Sequence, residues 1–229
     1  MRLTRLLGLV FVAVVAMSCA VVSSAGAFSS NPLFSKGSVG ATITLGSGSA
    51  SVLTESGLVI GCKENHVVSG TVSNELLIGD AVIRYLGCEY TKGEVESGCP
   101  ANSTGATGGL ISLTTLHAIL GLLLPQNTTG ILFLPVASKV FTTFAAAEKG
   151  GKKCAPEGQL AGNVAAEVEP VGVAGGSVNA TIKVISKEIQ DIDLTHGLGL
   201  VKAKVTFFGE GSAFTQTDEV MFNKAVEVT

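Results

Sequence analysis

The sequence predicts an all-β domain, a β-sandwich or irregular β-barrel with one short helix, and three observations predict it. Glycine is abundant at 29 residues, tryptophan is absent and only 14% of residues are charged, which suits strands and tight turns better than helices with Lys- and Glu-rich wet faces. Apolar residues recur in short runs of period two, punctuated by Gly, Asn and Asp. Cys62, Cys88, Cys99 and Cys154 are spaced as staples of an exported chain, with no C-x-x-C pair and no His placed to complete a zinc site.

The chain opens with Arg2 and Arg5, the apolar run Leu6 to Ala16 and the small residues Ser23-Ser24-Ala25-Gly26-Ala27. This order predicts a signal peptide, residues 1–27, cleaved after Ala27. Its apolar run is too short for a bilayer span, which needs about 20 residues, and the mature chain offers no transmembrane segment. A second reading anchors a lipoprotein at Cys19, although Ala16-Met17-Ser18 lacks the Leu or Val expected at the first place of a lipobox. Residues 28–38 are Ser-rich and aperiodic, which predicts a mobile arm, and residues 39–229 are read as a single β domain. The whole chain carries 15 Lys and Arg against 18 Asp and Glu, with no basic stripe, so nucleic-acid binding is not expected.

Taken in order, Val39 to Thr44 and Ser51 to Thr54 read as short strands about a Gly46-Ser47-Gly48-Ser49 turn. Leu58, Ile60 and Cys62 alternate with Val59, Gly61 and Lys63, while Val82, Leu86 and Cys88 share one parity with Arg84, placing both cysteines on apolar faces. Val67 to Val72 supplies a strand, and Ser73-Asn74 and Gly79-Asp80 bracket a turn. Thr91 to Gly108 reads as a long polar loop around Cys99. Leu113, Leu116, His117, Leu120 and Leu124 fall at helical spacing, which predicts a helix from about Thr115 to Leu124, with a buried strand as the alternative. Ile131 to Val136, Val140 to Ala147 and Gln159 to Val168 read as strands, the second followed by a basic turn at Lys149 to Lys153. Pro170 to Ser177 is a break. Ile182, Val184, Val201, Ala203, Val205 and Phe207 are expected to face inward, as are Val220, Phe222, Val226 and Val228.

With Cys19 removed, four cysteines remain and allow three pairings. Cys62–Cys88 and Cys99–Cys154 are favoured, because the first pair lies on strands near in sequence and the second ties the long loop to the basic turn. The run of a strand bearing Cys62, Gly87-Cys88-Glu89, Cys99, Gly109-Leu110-Ile111 and Cys154 before Leu160-Ala161-Gly162 resembles a group of secreted actinobacterial proteins without assigned function. The resemblance covers about Gly57 to Asn179 and implies an exported, cysteine-stapled β domain, with no activity or site residues to transfer.

Candidate chemistry is sparse. Asp191 and Asp193 share a face of a strand and could bind a hard cation through oxygen, against the plainer reading of a solvated face with Ile192 and Leu194 turned inward. His117 reads as a core or boundary residue, His66 as an exposed turn residue, and His196 stands apart. No G-x-S-x-G elbow, dinucleotide fingerprint, P-loop or H-E-x-x-H occurs. Glu148, Glu157, Glu167 and Glu169 could pair as glycosidase carboxylates, but Tyr85 and Tyr90 are the only tyrosines and there is no Trp for sugar stacking. Asn102, Asn127 and Asn179 sit in N-x-[ST] sequons. No catalytic, cofactor or metal residue is assigned. The expected function is a non-catalytic secreted or cell-envelope structural or interaction protein, ahead of a binder of a small apolar ligand and a hydrolase with a site assembled in space.

Overall fold

The structure, a computed structural model, describes residues 32–54, 57–92, 98–169, 177–186, 190–194 and 199–229, and the backbone alone for residues 45, 53, 92, 177–186 and 190. The expected signal peptide with Cys19, the break at 170–176 and His196 lie outside the described residues.

A 3-10 turn, Lys36–Ser38, precedes β1 (Ile43–Thr54), β2 (Val59–Val72) and β3 (Leu77–Leu86). Three short strands follow, β4 (Glu89–Lys92), β5 (Cys99–Pro100) and β6 (Ile111–Ser112), before the hairpin of β7 (Leu116–Leu124) and β8 (Thr128–Pro135). Next come β9 (Val140–Phe144), β10 (Ala147–Lys149), β11 (Lys152–Ala155), β12 (Gly158–Gly162) and β13 (Val164–Glu169). The last five are β14 (Ser177–Ser186), β15 (Gln190–Leu194), β16 (Gly199–Ala203), β17 (Val205–Phe207) and β18 (Glu210–Val226).

The antiparallel pairings close on themselves. β1, β2, β3, β7, β8, β13, β14 and β18 each bond to the next, and β18 returns to β1 with Val52 opposite Phe214 and Gly48 opposite Asp218. The fold is therefore an up-and-down barrel interrupted by three excursions, β4–β6, β9–β12 and β15–β17. Eight strands enclose a space just wide enough for side chains to fill or for one small ligand.

Period two fixes what enters that space. Along β18 Phe214, Gln216, Asp218, Val220, Phe222 and Val226 are all buried, while Thr217, Glu219 and Met221 are exposed. Opposite Asp218 and Val220 β1 presents glycines, Gly48 and Gly46, with Ala50 and Val52 beside Gln216 and Phe214. A Cβ on Gly48 would sit 2.0 Å from the Thr217 carbonyl oxygen, and one on Gly46 would sit 2.6 Å from Val67 Cγ2. The Gly46-Ser47-Gly48-Ser49 segment is thus the middle of a strand rather than the expected turn; its glycines admit the neighbouring strand and side chains. On β3 the buried parity is Ala81, Ile83 and Tyr85, opposite to the one expected, and Arg84 and Leu86 face water.

The expected helix at 115–124 is strand β7. Leu116, Ala118 and Leu120 face the barrel, while Ile119 and Leu123 face outward against a second apolar cluster formed by Leu132, Leu134, Ala165, Ile192, Leu194, Val201 and Ala203. The β15–β16 hairpin lies over this outer face, pairing Ile192 with Leu123. Burial on both faces removes the polar half of the alternation, so the apolar positions match a helix as well as a strand. Gly121 permits the approach, since a Cβ there would lie 2.7 Å from the Asp193 carbonyl oxygen. Each fully buried Ile or Leu of the hairpin contributes roughly 1.5–3 kcal/mol.

Both barrel ends are closed. At one end Leu113, Phe141 on β9 and Leu160 on β12 pack over Ile83, Leu116, Phe133, Val164 and Phe214, with Phe144 edge-on to Phe207 at 5.0 Å. At the other, residues 32–41 are tied down instead of forming a mobile arm. Phe34 is buried and bridges Val228, Leu33 and Thr229 exchange backbone bonds of 2.9 Å, and Ala41 accepts from Val72 at 2.8 Å. The expected strand Gln159 to Val168 is divided, because Gly162 takes φ +115 and the chain turns from β12 into β13.

Both favoured disulfides are present. Cys62–Cys88 ties β2 to the turn after β3, and Cys99–Cys154 fastens β5 to β11 of the β10–β11 hairpin, whose tip is the basic turn. The segment read as a long loop is held along its described part. Ala101 donates to the Cys88 carbonyl at 2.8 Å, and Asn102 Oδ1 accepts from the Gly109 amide at 2.7 Å.

Candidate functional site

The barrel interior holds the most unusual chemistry of the described residues. Asn65 on β2, Tyr85 on β3 and Gln216 and Asp218 on β18 are polar groups at positions the strand period turns inward, each at most 5% exposed. They form one chain. The Tyr85 hydroxyl donates to Gln216 Oε1 at 2.7 Å, the Gln216 amide donates to Asp218 Oδ2, and Asn65 Nδ2 donates to Asp218 Oδ1 at 2.5 Å. Asn65 Oδ1 has no partner.

Burial dominates the electrostatics. It raises the Asp218 pKa above the ordinary carboxylate value, partly offset by the hydrogen bonds from Asn65 and Gln216. Burial also lifts the Tyr85 phenol well above its usual range, the nearby Asp218 charge adds to the rise, and the Gln216 bond opposes it. Tyr90, buried without a hydrogen-bond partner for its hydroxyl, is pushed up to about 12 by burial. Buried phenols of this kind hold their protons across the neutral range.

Two apolar gaps lie between this polar chain and the cap of β9 and β12. One, of about 30 Å³, is lined by Tyr85, Gln216 and eight apolar residues, and the other, of about 20 Å³, shares Tyr85, Leu113, Leu160 and Phe214 with it. Spaces of this size hold a water or two at most.

The residues singled out in the sequence are dispersed. Asp191 and Asp193 flank the buried Ile192, and the Asp191 carboxylate lies 3.6 Å from the Lys202 ammonium, so the cation beside it is a lysine of the adjacent strand. Among the described residues no group of three or more His, Cys, Asp or Glu is placed to hold a metal ion. His66 is not in a turn. It stands in the middle of β2 on the outer face, 3.5 Å from Glu64, while its neighbour Asn65 points in. His117 is half-buried on the outward parity of β7. Neither histidine is a partner of Asp218, and Glu148, Glu157, Glu167 and Glu169 fall on β10, the turn before β12, and β13.

The polar interior was missed in the sequence, yet its signal was there. The parity of Phe214, Val220 and Phe222 runs through Gln216 and Asp218 without a break. Compared with protein-family models, curated proteins and solved structures, the chain matches none.

Proposed function

We propose that this chain is a non-catalytic secreted or cell-envelope protein acting as a structural or interaction module. The observation that carries the reading is a closed barrel packed with its own side chains, in which the two gaps under β9 and β12 measure about 30 and 20 Å³. An interior of that kind maintains a shape.

Other features agree with it. Two disulfides suit an oxidising compartment, in keeping with the signal peptide expected at residues 1–27. The outer face of β1 and β18 carries Ser47, Ser49, Ser51, Thr215, Thr217 and Glu219, polar where a lipid-facing barrel is apolar. Among the described residues no helix is long and apolar enough to cross a membrane. The test is expression of the full chain in an exporting host, followed by mass spectrometry of the medium and washed envelope fractions. A disulfide-intact chain beginning at Phe28 is expected, whereas an acylated Cys19 or an unprocessed cytoplasmic chain would overturn the assigned location. Turnover of envelope polymers that tracks with the purified protein would overturn the non-catalytic assignment.

One observation favours a second reading, the binding of a small apolar ligand. The two gaps adjoin under β9 and β12, strands whose ladder reaches the ring through β17 and the start of β18. Native mass spectrometry with medium-chain fatty acids would show a bound species if the cap admits one.

A further inference from the structure

We propose that Asp218 is a proton-operated fastening of the barrel, closing β1, β2 and β18 most tightly when its carboxyl is protonated and loosening them when it ionises.

The geometry leaves an ionised Asp218 poorly matched. The residue is 2% exposed. From β2 it faces Asn65, along β18 it meets Gln216, and Tyr85 of β3 stands behind Gln216. From β1 it faces Gly48, whose missing Cβ would lie 2.5 Å from Asp218 Oδ1. On β14, Ile182 is opposite Asp218, and Lys183 is opposite Thr217, an outward position. Tyr85 is the one titratable group facing it among the described side chains, and it is an acid. The titratable groups that adjoin the cluster in sequence, Glu64 and His66 on β2, Arg84 on β3 and Glu219 on β18, stand on the outer face. The ion pairs described, His66 with Glu64 and Lys202 with Asp191, are elsewhere.

The two amide donors favour the ionised carboxylate, but burial with no cation facing it among the described side chains opposes them and prevails. The cluster is already short of donors, since Asn65 Oδ1 goes unmet, and ionisation removes the one O–H that Asp218 can supply. The raised folded-state pKa gives the same sign. An unfolded Asp titrates near about 3.9, so the folded chain holds the proton more strongly; the stability from this group is complete below that value and is lost as pH rises through the folded value.

The test compares urea unfolding of the full oxidised chain with that of Asp218→Asn over a pH series from about 4 to 8. Asparagine keeps the shape and the neutral state. The ratio of wild-type to variant folding constants is expected to fall by up to tenfold per pH unit inside the titration window and to be flat outside it. A ratio independent of pH overturns the proposal. If the variant does not fold, infrared spectroscopy of the wild type decides. A protonated carboxyl stretch persisting above the pH at which the carboxyls of the urea-unfolded chain have ionised is expected, and its absence there overturns the proposal.

Discussion

Replacing Gly48 by alanine tests the barrel more directly than any other single change. The added Cβ would lie 2.0 Å from the Thr217 carbonyl oxygen and 2.5 Å from Asp218 Oδ1. The first of these is backbone, held by the β1–β18 ladder on both sides, so no side-chain rotation relieves the clash. Overpacking of this sort costs about 2 kcal/mol, within a usual range of 1–3. For a chain of this size each kcal/mol moves the melting temperature by about 2–4 °C, so Gly48→Ala should melt about 4–8 °C below the wild type. Gly61 on the adjacent strand is the control. Its nearest neighbour to an added Cβ is Thr91 Cγ2 at 3.9 Å, an ordinary contact. Gly61→Ala should be neutral or stabilising by about 0.4–1 kcal/mol. Thermal unfolding by circular dichroism reads both. A Gly48→Ala protein melting within about 1 °C of the wild type would refute the strand assignment and restore an open turn at 46–49.

Three further outcomes follow from the same architecture. Paired serine substitution should cost about 3.5 kcal/mol for Cys62–Cys88, with 26 residues of separation, and about 4 kcal/mol for Cys99–Cys154, with 55, read by urea midpoints. Because Tyr85 and Tyr90 are the only tyrosines and both have raised pKa values, the folded protein should show little tyrosinate absorbance between about pH 10 and 11, where the urea-unfolded chain is already ionising. The stability they contribute is complete below the unfolded value and is lost as pH climbs through that window. Phe214→Ala should cost about 3–5 kcal/mol and join the two gaps it borders into one apolar cavity, detectable by xenon binding in a crystal.

What the sequence revealed followed from how many faces of each strand meet water. β13 and β16–β17 were read with the right face inward, because Glu167, Glu169, Lys202 and Lys204 mark the wet side. β7 lost that mark under the β15–β16 hairpin, and a leucine run without a polar face suggested a helix. The glycines of β1 read as a turn because sequence shows conformational freedom and not close approach; the need for Gly48 is set by Thr217, far along the chain. Phe34 gave a local signal too slight to reveal its bridge to Val228. Gln216 and Asp218 have a polarity that points to exposure, while the alternation around them points inward and burial follows the alternation. The disulfides were the most legible feature, since the strands carrying Cys62 and Cys88 are near in sequence and the basic turn delivers Cys154.

The pairing of β1 with β18 also sets a schedule. The ring cannot shut until residues as far along as Phe222 are available to lie beside Ile43, so closure waits for the last strand of the ring to be made. Until then the earlier strands form an open sheet with unpaired edges, too incomplete to commit. A chain proposed to leave the cell through a narrow translocon benefits from that delay. On that proposed route the barrel stays threadable until its final long strand has been made, so the seam that completes the ring is also the last obstacle to form.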